Sequence, residues 1–234
     1  MAEARLSVAA GIHVRMDTDV EKTFLRDTRA SYNAIAADYA ERFEAEAKSL
    51  ERAMLAAFAE RVRADGAGPV VEFGSGPGRV SACLAGLGVD IRGIDLSPAM
   101  VALARRAYPQ LRFDEGSMTE LGGFADGSLA GVVAWYSMIH LPPAEVPGVL
   151  AGFHRILAPG GHLAVAFQVG DHISRYTEAF GHSVSLDFHR MRPDLVVEQL
   201  REAGFEVLAR LEREPEEGEK TPQAYLVARR PGGE

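Results

Sequence analysis

The sequence predicts an α/β fold in which a mostly parallel sheet is covered by helices on both faces. Three observations carry this. After residue 69, short runs rich in β-branched and other apolar residues alternate with segments of helical period. The first such run, Val70-Val-Glu-Phe73, enters a turn with glycines at 74, 76 and 78 and then opens a helix. At 234 residues and 47% hydrophobic content, the chain is long enough to bury a full core as one domain.

Taken in order, the strand candidates are 69–73, 89–95, 111–116, 129–136, 162–168, 206–213 and 223–230. Helices fall between them. Ala99 to Tyr108 follows a Ser97-Pro98 start signal, and Arg192 to Gly204 ends on glycine. Val146, Val149, Leu150, Phe153, Ile156 and Leu157 form one apolar face, ended by Pro159-Gly-Gly161. Lone Cys83 falls on the helix after the glycine turn, where it reads as a small buried hydrophobe.

Two regions lie outside this alternation. Residues 1–66 form an N-terminal arm and helical cap, and 67–234 the core, with a lid insertion at 169–190. The first 25 or so residues lack a period. Beyond them, Tyr32, Ile35, Ala36, Tyr39 and Phe43 share one helical face, and Leu50, Met54, Leu55, Phe58 and Val62 share another. The insertion carries Asp171, His172, Tyr176, Phe180, His182, Asp187, Phe188 and His189. It has no compact ligand pair, so it reads as an aromatic-walled lid rather than a metal centre.

Composition excludes several classes. A net charge of -8 with no Lys/Arg run argues against a nucleic-acid partner. No apolar stretch reaches membrane-spanning length, and the N-terminus lacks a signal-peptide core. A cytoplasmic protein with no membrane partner is the expectation. Monomer and homodimer remain equally open.

Spacing in the glycine turn narrows the chemistry. The dinucleotide fingerprint G-x-G-x-x-G wants glycine where this chain has Arg79, and the pattern here is E-x-G-x-G-x-G. With Asp95 ending the second strand and Leu157-Ala-Pro-Gly-Gly-His162 before the fifth, the chain resembles class I S-adenosylmethionine (SAM) dependent methyltransferases over residues 30–230. That resemblance implies a Rossmann-like seven-stranded sheet of order 3-2-1-4-5-7-6 with the last strand antiparallel. It also implies SAM as cofactor, held by Tyr32 or Tyr39, Glu72, Gly74, Ser75, Gly76, Gly78, Asp95, Leu96, Ser117, Met118 and Trp135.

Each assignment has a chemical reason and a plainer alternative. Asp95 is placed to accept from two ribose hydroxyls, or it serves only as a helix cap. Ser117 stands where relatives often carry Asp, which shifts adenine contact toward Met118, itself a common core filler. Tyr32 and Tyr39 reach a methionyl carboxylate or simply pack. Glu72 is expected to be linked through water or backbone to the methionyl ammonium.

The chemistry is expected just beyond the fourth strand. His140 is a general base with a pKa near working pH, or a structural contact. Tyr136 walls the substrate, and His189 with Phe188 faces it from the lid. No metal is required. The function implied is methyl transfer to a small-molecule acceptor, aromatic or heteroaromatic, in specialised metabolism. The alternatives are a SAM-fold protein without methyl transfer, as a regulatory binder or cyclisation catalyst, and an NAD(P)-dependent reductase. No Tyr-x-x-x-Lys pair supports the reductase.

Overall fold

Strand β1 (Val70–Phe73) leads through the glycine turn into α3 (Arg79–Gly86), and the unit repeats as β2 (Ile91–Asp95), α4 (Pro98–Ala107) and β3 (Arg112–Glu115). Beyond them come β4 (Leu129–Trp135), a 3-10 turn (Met138–His140), α5 (Val146–Ile156) and β5 (Leu157–Gln168). A hairpin of β6 (Ile173–Ala179) and β7 (His182–His189) precedes α6 (Pro193–Glu202), β8 (Glu206–Arg213) and β9 (Gln223–Arg229). Two helices come first, α1 (Thr23–Arg42) and α2 (Ser49–Ala64). The computed structural model describes residues 22–42, 48–66 and 68–232. The expected arm and Phe43 lie outside the described residues.

The main sheet runs β3-β2-β1-β4-β5-β9-β8. Numbered without the hairpin, this is the 3-2-1-4-5-7-6 order, with β9 antiparallel to both neighbours. β4 shows why the sheet is sealed on both sides. Val132 and Ala134 face α5 and α6, while Val133 and Trp135 face α2 and α3. A central strand buried on both faces needs a continuous apolar run, and β4 has one. α2 lies flat on its face through Leu55, Phe58, Ala59 and Val62, whereas α1 crosses the carboxyl ends of the strands.

Several expectations need correction. The 169–190 insertion is an ordered antiparallel hairpin, closed at Phe180-Gly181 with φ values of 53° and 77°. Two left-handed residues match the strand twist, as in tight hairpins. Leu50 is 41% exposed, and the buried residue of that turn is Glu51, which caps the Lys48 N–H. The Pro159-Gly-Gly161 stop is absorbed into β5, because Leu157 pairs directly with Leu129 across an irregularity. Cys83 is half-buried. No helix among the described residues is long and apolar enough to cross a membrane.

Candidate active site

The glycine turn, the end of β2 and the segment after β4 meet at the carboxyl edge of the sheet. Its three glycines do different work. A side chain at Gly74 would strike Ser137 and one at Gly78 would strike Phe113, so these two make room for the protein itself. Gly76 differs: φ is +53° and nothing lies within 4 Å of where a Cβ would stand. Of the three, only Gly76 has open space where a side chain would stand. The neighbouring Ser75 hydroxyl is buried without a partner.

Asp95 joins turn and strand. Its Oδ2 accepts from the Gly76 N–H at 2.7 Å and its Oδ1 from the Ser97 N–H at 2.8 Å. Burial pushes its pKa up, and these two bonds oppose that. A carboxylate offers about four acceptor directions, so two remain free for hydroxyl donors. Capping of α4 itself falls to Ser97, whose hydroxyl accepts from Met100 N–H. Leu96 sits between them, its carbonyl accepting from Arg29 of α1.

α1 lies over this edge like a strap. Lys22 pairs with Glu145 ahead of α5, and Asn33 accepts from Ser97 and Ala99 at the start of α4. Ser31 exchanges hydrogen bonds with the Ser185 backbone, and Ile35 packs on Val184 and Leu186 of β7. Beneath the strap, the Tyr32 hydroxyl meets His140 Nε2 at 2.8 Å, and His140 Nδ1 meets the Asp187 carbonyl at 3.1 Å. A carbonyl only accepts, so Nδ1 carries the proton and Nε2 holds the lone pair that takes the Tyr32 O–H. Phe188 stands edge-on to the His140 ring at 4.7 Å, with Tyr176 beyond it and Tyr39 beside Tyr32.

This enclosure changes the expected acidities. Desolvation lowers the His140 pKa to about 4, so a pKa near working pH is not what this packing gives. The ring is neutral at pH 7 and weakly basic. Burial raises both Tyr32 and Tyr39. His189 is lowered by burial, and its Nδ1 is buried without a partner.

Trp135 and Glu72 lie on the α2–α3 side. The Trp135 indole N–H donates to Glu51 Oε1 at 2.7 Å and its ring packs on Tyr225. Arg79 reaches the same Glu51 oxygen at 3.2 Å. Tyr136 has φ of 53°, an uncommon conformation for a bulky residue, and its hydroxyl meets that of Tyr225 at 2.9 Å. Burial raises its pKa strongly, which removes it as a proton acceptor. Glu72 is buried with a carboxyl oxygen 2.5 Å from the Ser81 hydroxyl, and burial pushes its pKa up to about 8. Ser117 turns back on Thr119, while Met118 lines a cavity of about 230 Å³ with Leu121 and Val149.

Glu51, Asn33, Ser81, Tyr225 and Arg190 escaped the sequence reading. Only Glu51 carried a signal, as the third residue of a helix start. Among the described residues, no three His, Cys, Asp or Glu side chains converge as a metal site would require.

Known proteins resemble parts of this chain. A family model described as a methyltransferase domain matches residues 70–161, which hold the glycine turn, Asp95 and His140. Over that stretch the chain is similar to methyltransferases. Demethylmenaquinone methyltransferase of Beutenbergia cavernae is 41% identical over 97 residues, covering 42% of this chain and 39% of that protein. The match thus spans about two fifths of such curated relatives. Among solved structures, the 1,6-didemethyltoxoflavin-N1-methyltransferase of Burkholderia thailandensis, with its acceptor and S-adenosylhomocysteine bound, superposes with a TM-score of 0.69 at 20% identity. It covers 89% of each chain. The magnesium protoporphyrin IX methyltransferase of Synechocystis, with SAM bound, gives 0.67 at 17% identity over 91% of this chain and 100% of that one.

Proposed function

We propose that this chain binds SAM at the carboxyl edge of β1, β2 and β4 and methylates a small aromatic or heteroaromatic acceptor enclosed beneath α1 and the hairpin. The observation that carries this reading is the pairing of an outward-facing Gly76 with an Asp95 carboxylate that keeps two acceptor directions free. Ser75, with its unpartnered buried hydroxyl, fits a polar ligand in the same turn. Glu72 loses its raised pKa in favour of the carboxylate when a cation approaches, which suits an ammonium group. The acceptors named for the similar proteins, demethylmenaquinone, 1,6-didemethyltoxoflavin and magnesium protoporphyrin IX, are all small molecules.

SAM supplies an electrophilic methyl group on a sulfonium sulfur. The chain's own residues must then align an acceptor, exclude water and take one proton. Alignment between the turn and the rings of Tyr32, His140 and Phe188 is worth up to about 7–11 kcal/mol in such reactions. His140 Nε2 is the atom with a lone pair free to take the proton once Tyr32 yields its place. A base of pKa about 4 suits a proton that leaves as the new bond forms, when the acceptor is most acidic. Tyr136, Tyr39 and His189 serve as walls. A screen of phenols, indoles and amines for release of S-adenosylhomocysteine tests the reading. Turnover with any member supports it, and SAM binding without turnover on any acceptor class would favour a non-methylating role.

A further inference from the structure

The inner face of the hairpin ends in a positive charge that no carboxylate among the described residues balances. Val184, Leu186 and Phe188 alternate along β7 toward α1 and His140. Arg190 continues that alternation, with its guanidinium carbon 5.8 Å from the Phe188 ring centre. Its Nε and Nη1 are buried and have no hydrogen-bond partner. The Tyr176 hydroxyl accepts a hydrogen bond from its side chain. Asp187, the carboxylate nearest in sequence, pairs instead with Arg175 at 3.4 Å. Arg190 and His189 both lie close enough to His140 to disfavour its protonation. Gln168 at the end of β5, whose carbonyl accepts from Met191 beside Arg190, also has a buried side-chain oxygen without a partner.

A guanidinium with two nitrogens shielded from water and without partners is complementary to an anion. Aromatic walls on the same face select what carries that anion. One cation in a chain of net charge -8 matches a single negative charge better than a doubly charged phosphate. We infer that Arg190 receives a carboxylate carried by an aromatic acceptor, whose ring lies among Tyr32, His140, Tyr176 and Phe188. The identity of this ligand as methyl acceptor rests on the function proposed above; the carboxylate site itself does not.

Matched pairs test it: hydroxybenzoates against hydroxybenzamides, and indole carboxylates against indole carboxamides, titrated calorimetrically into the whole protein with S-adenosylhomocysteine present. The wild type is expected to bind carboxylates at least tenfold more tightly than their amides. Arg190→Met brings each pair within about threefold while leaving amide affinity unchanged, and Arg190→Lys keeps part of the preference. A wild type that binds no carboxylate better than its amide overturns the inference, independently of any variant. So does Arg190→Met with its preference intact. S-adenosylhomocysteine binding, measured separately, keeps the two questions apart: carboxylate preference without it upholds the anion site and removes methyl transfer, and the reverse result removes the anion site alone.

Discussion

From Val132 to Trp135 every side chain of β4 is sealed between helices, whereas α1 meets the hairpin through Ile35, Val184 and Leu186, two serine–backbone bonds and a His182–Asp38 contact. The first region spends apolar area on permanence. The second joins a small apolar patch to polar contacts that water can replace, so it can part from the sheet edge at modest cost. An enclosed site must admit its ligands, and the strap is the part expected to yield first. The sheet holds Asp95 and the glycine turn still, and the strap brings Tyr32 to His140.

Substitutions should separate the two regions by size of effect. Phe153 of α5 is fully buried against Phe73, and Phe153→Ala should cost about 3–5 kcal/mol in urea unfolding. In the enclosure the loss is catalytic. His140→Ala should lower turnover by about 100- to 10,000-fold while SAM affinity stays within a few fold. Because burial holds His140 at about 4, the acid limb of the wild-type pH–turnover profile should fall near pH 4 to 5. A limb near 6.5 would mean the ring is solvated when it acts.

Glu72 gives an intermediate effect. Its folded pKa of about 8 lies above the ordinary carboxylate value, so the native state holds a proton that the unfolded chain releases. That stabilisation is fully present below about pH 4.5 and is lost as pH rises through about 8. It amounts to a few kcal/mol at about 1.4 per pH unit. Glu72→Gln should remove this slope when unfolding of variant and wild type is compared at pH 5 and pH 9. The smallest change belongs to the strap: Tyr32→Phe removes one hydrogen bond worth about 0.5–1.5 kcal/mol. Hydrogen exchange along α1 should quicken while the sheet stays unchanged.

The same division decides what could be read from sequence. A sheet covered on both faces followed from apolar runs, since Val70-Val71 and Val132-Val133 have no use outside a doubly covered strand, whereas the strand order came from the family resemblance and not from periodicity. The hairpin was legible in principle, because Val184, Leu186 and Phe188 alternate, but its turn uses Phe180 where a sequence reader expects Asn or Gly. Candidate residues on β1, β2 and the turn after β4 could be named because the motifs that carry the resemblance are local in sequence. Those made by distant segments were not. Glu51 lies 84 residues from Trp135, and Asn33 lies 64 from Ser97, so only folding reveals these pairs. Burial of His140 by Tyr32 and Phe188 is likewise a product of packing, and it moved the pKa away from the expected value.

The central claim is that the edge formed by Gly76 and Asp95 is a SAM site. Calorimetric titration of SAM into the wild type and Asp95→Ala tests it most directly, with both melts checked first. Loss of charge-assisted bonds of roughly 1.5–3 kcal/mol each predicts wild-type binding that weakens at least tenfold in the variant. Equal affinity in two folded proteins, or no binding by the wild type, would contradict the account.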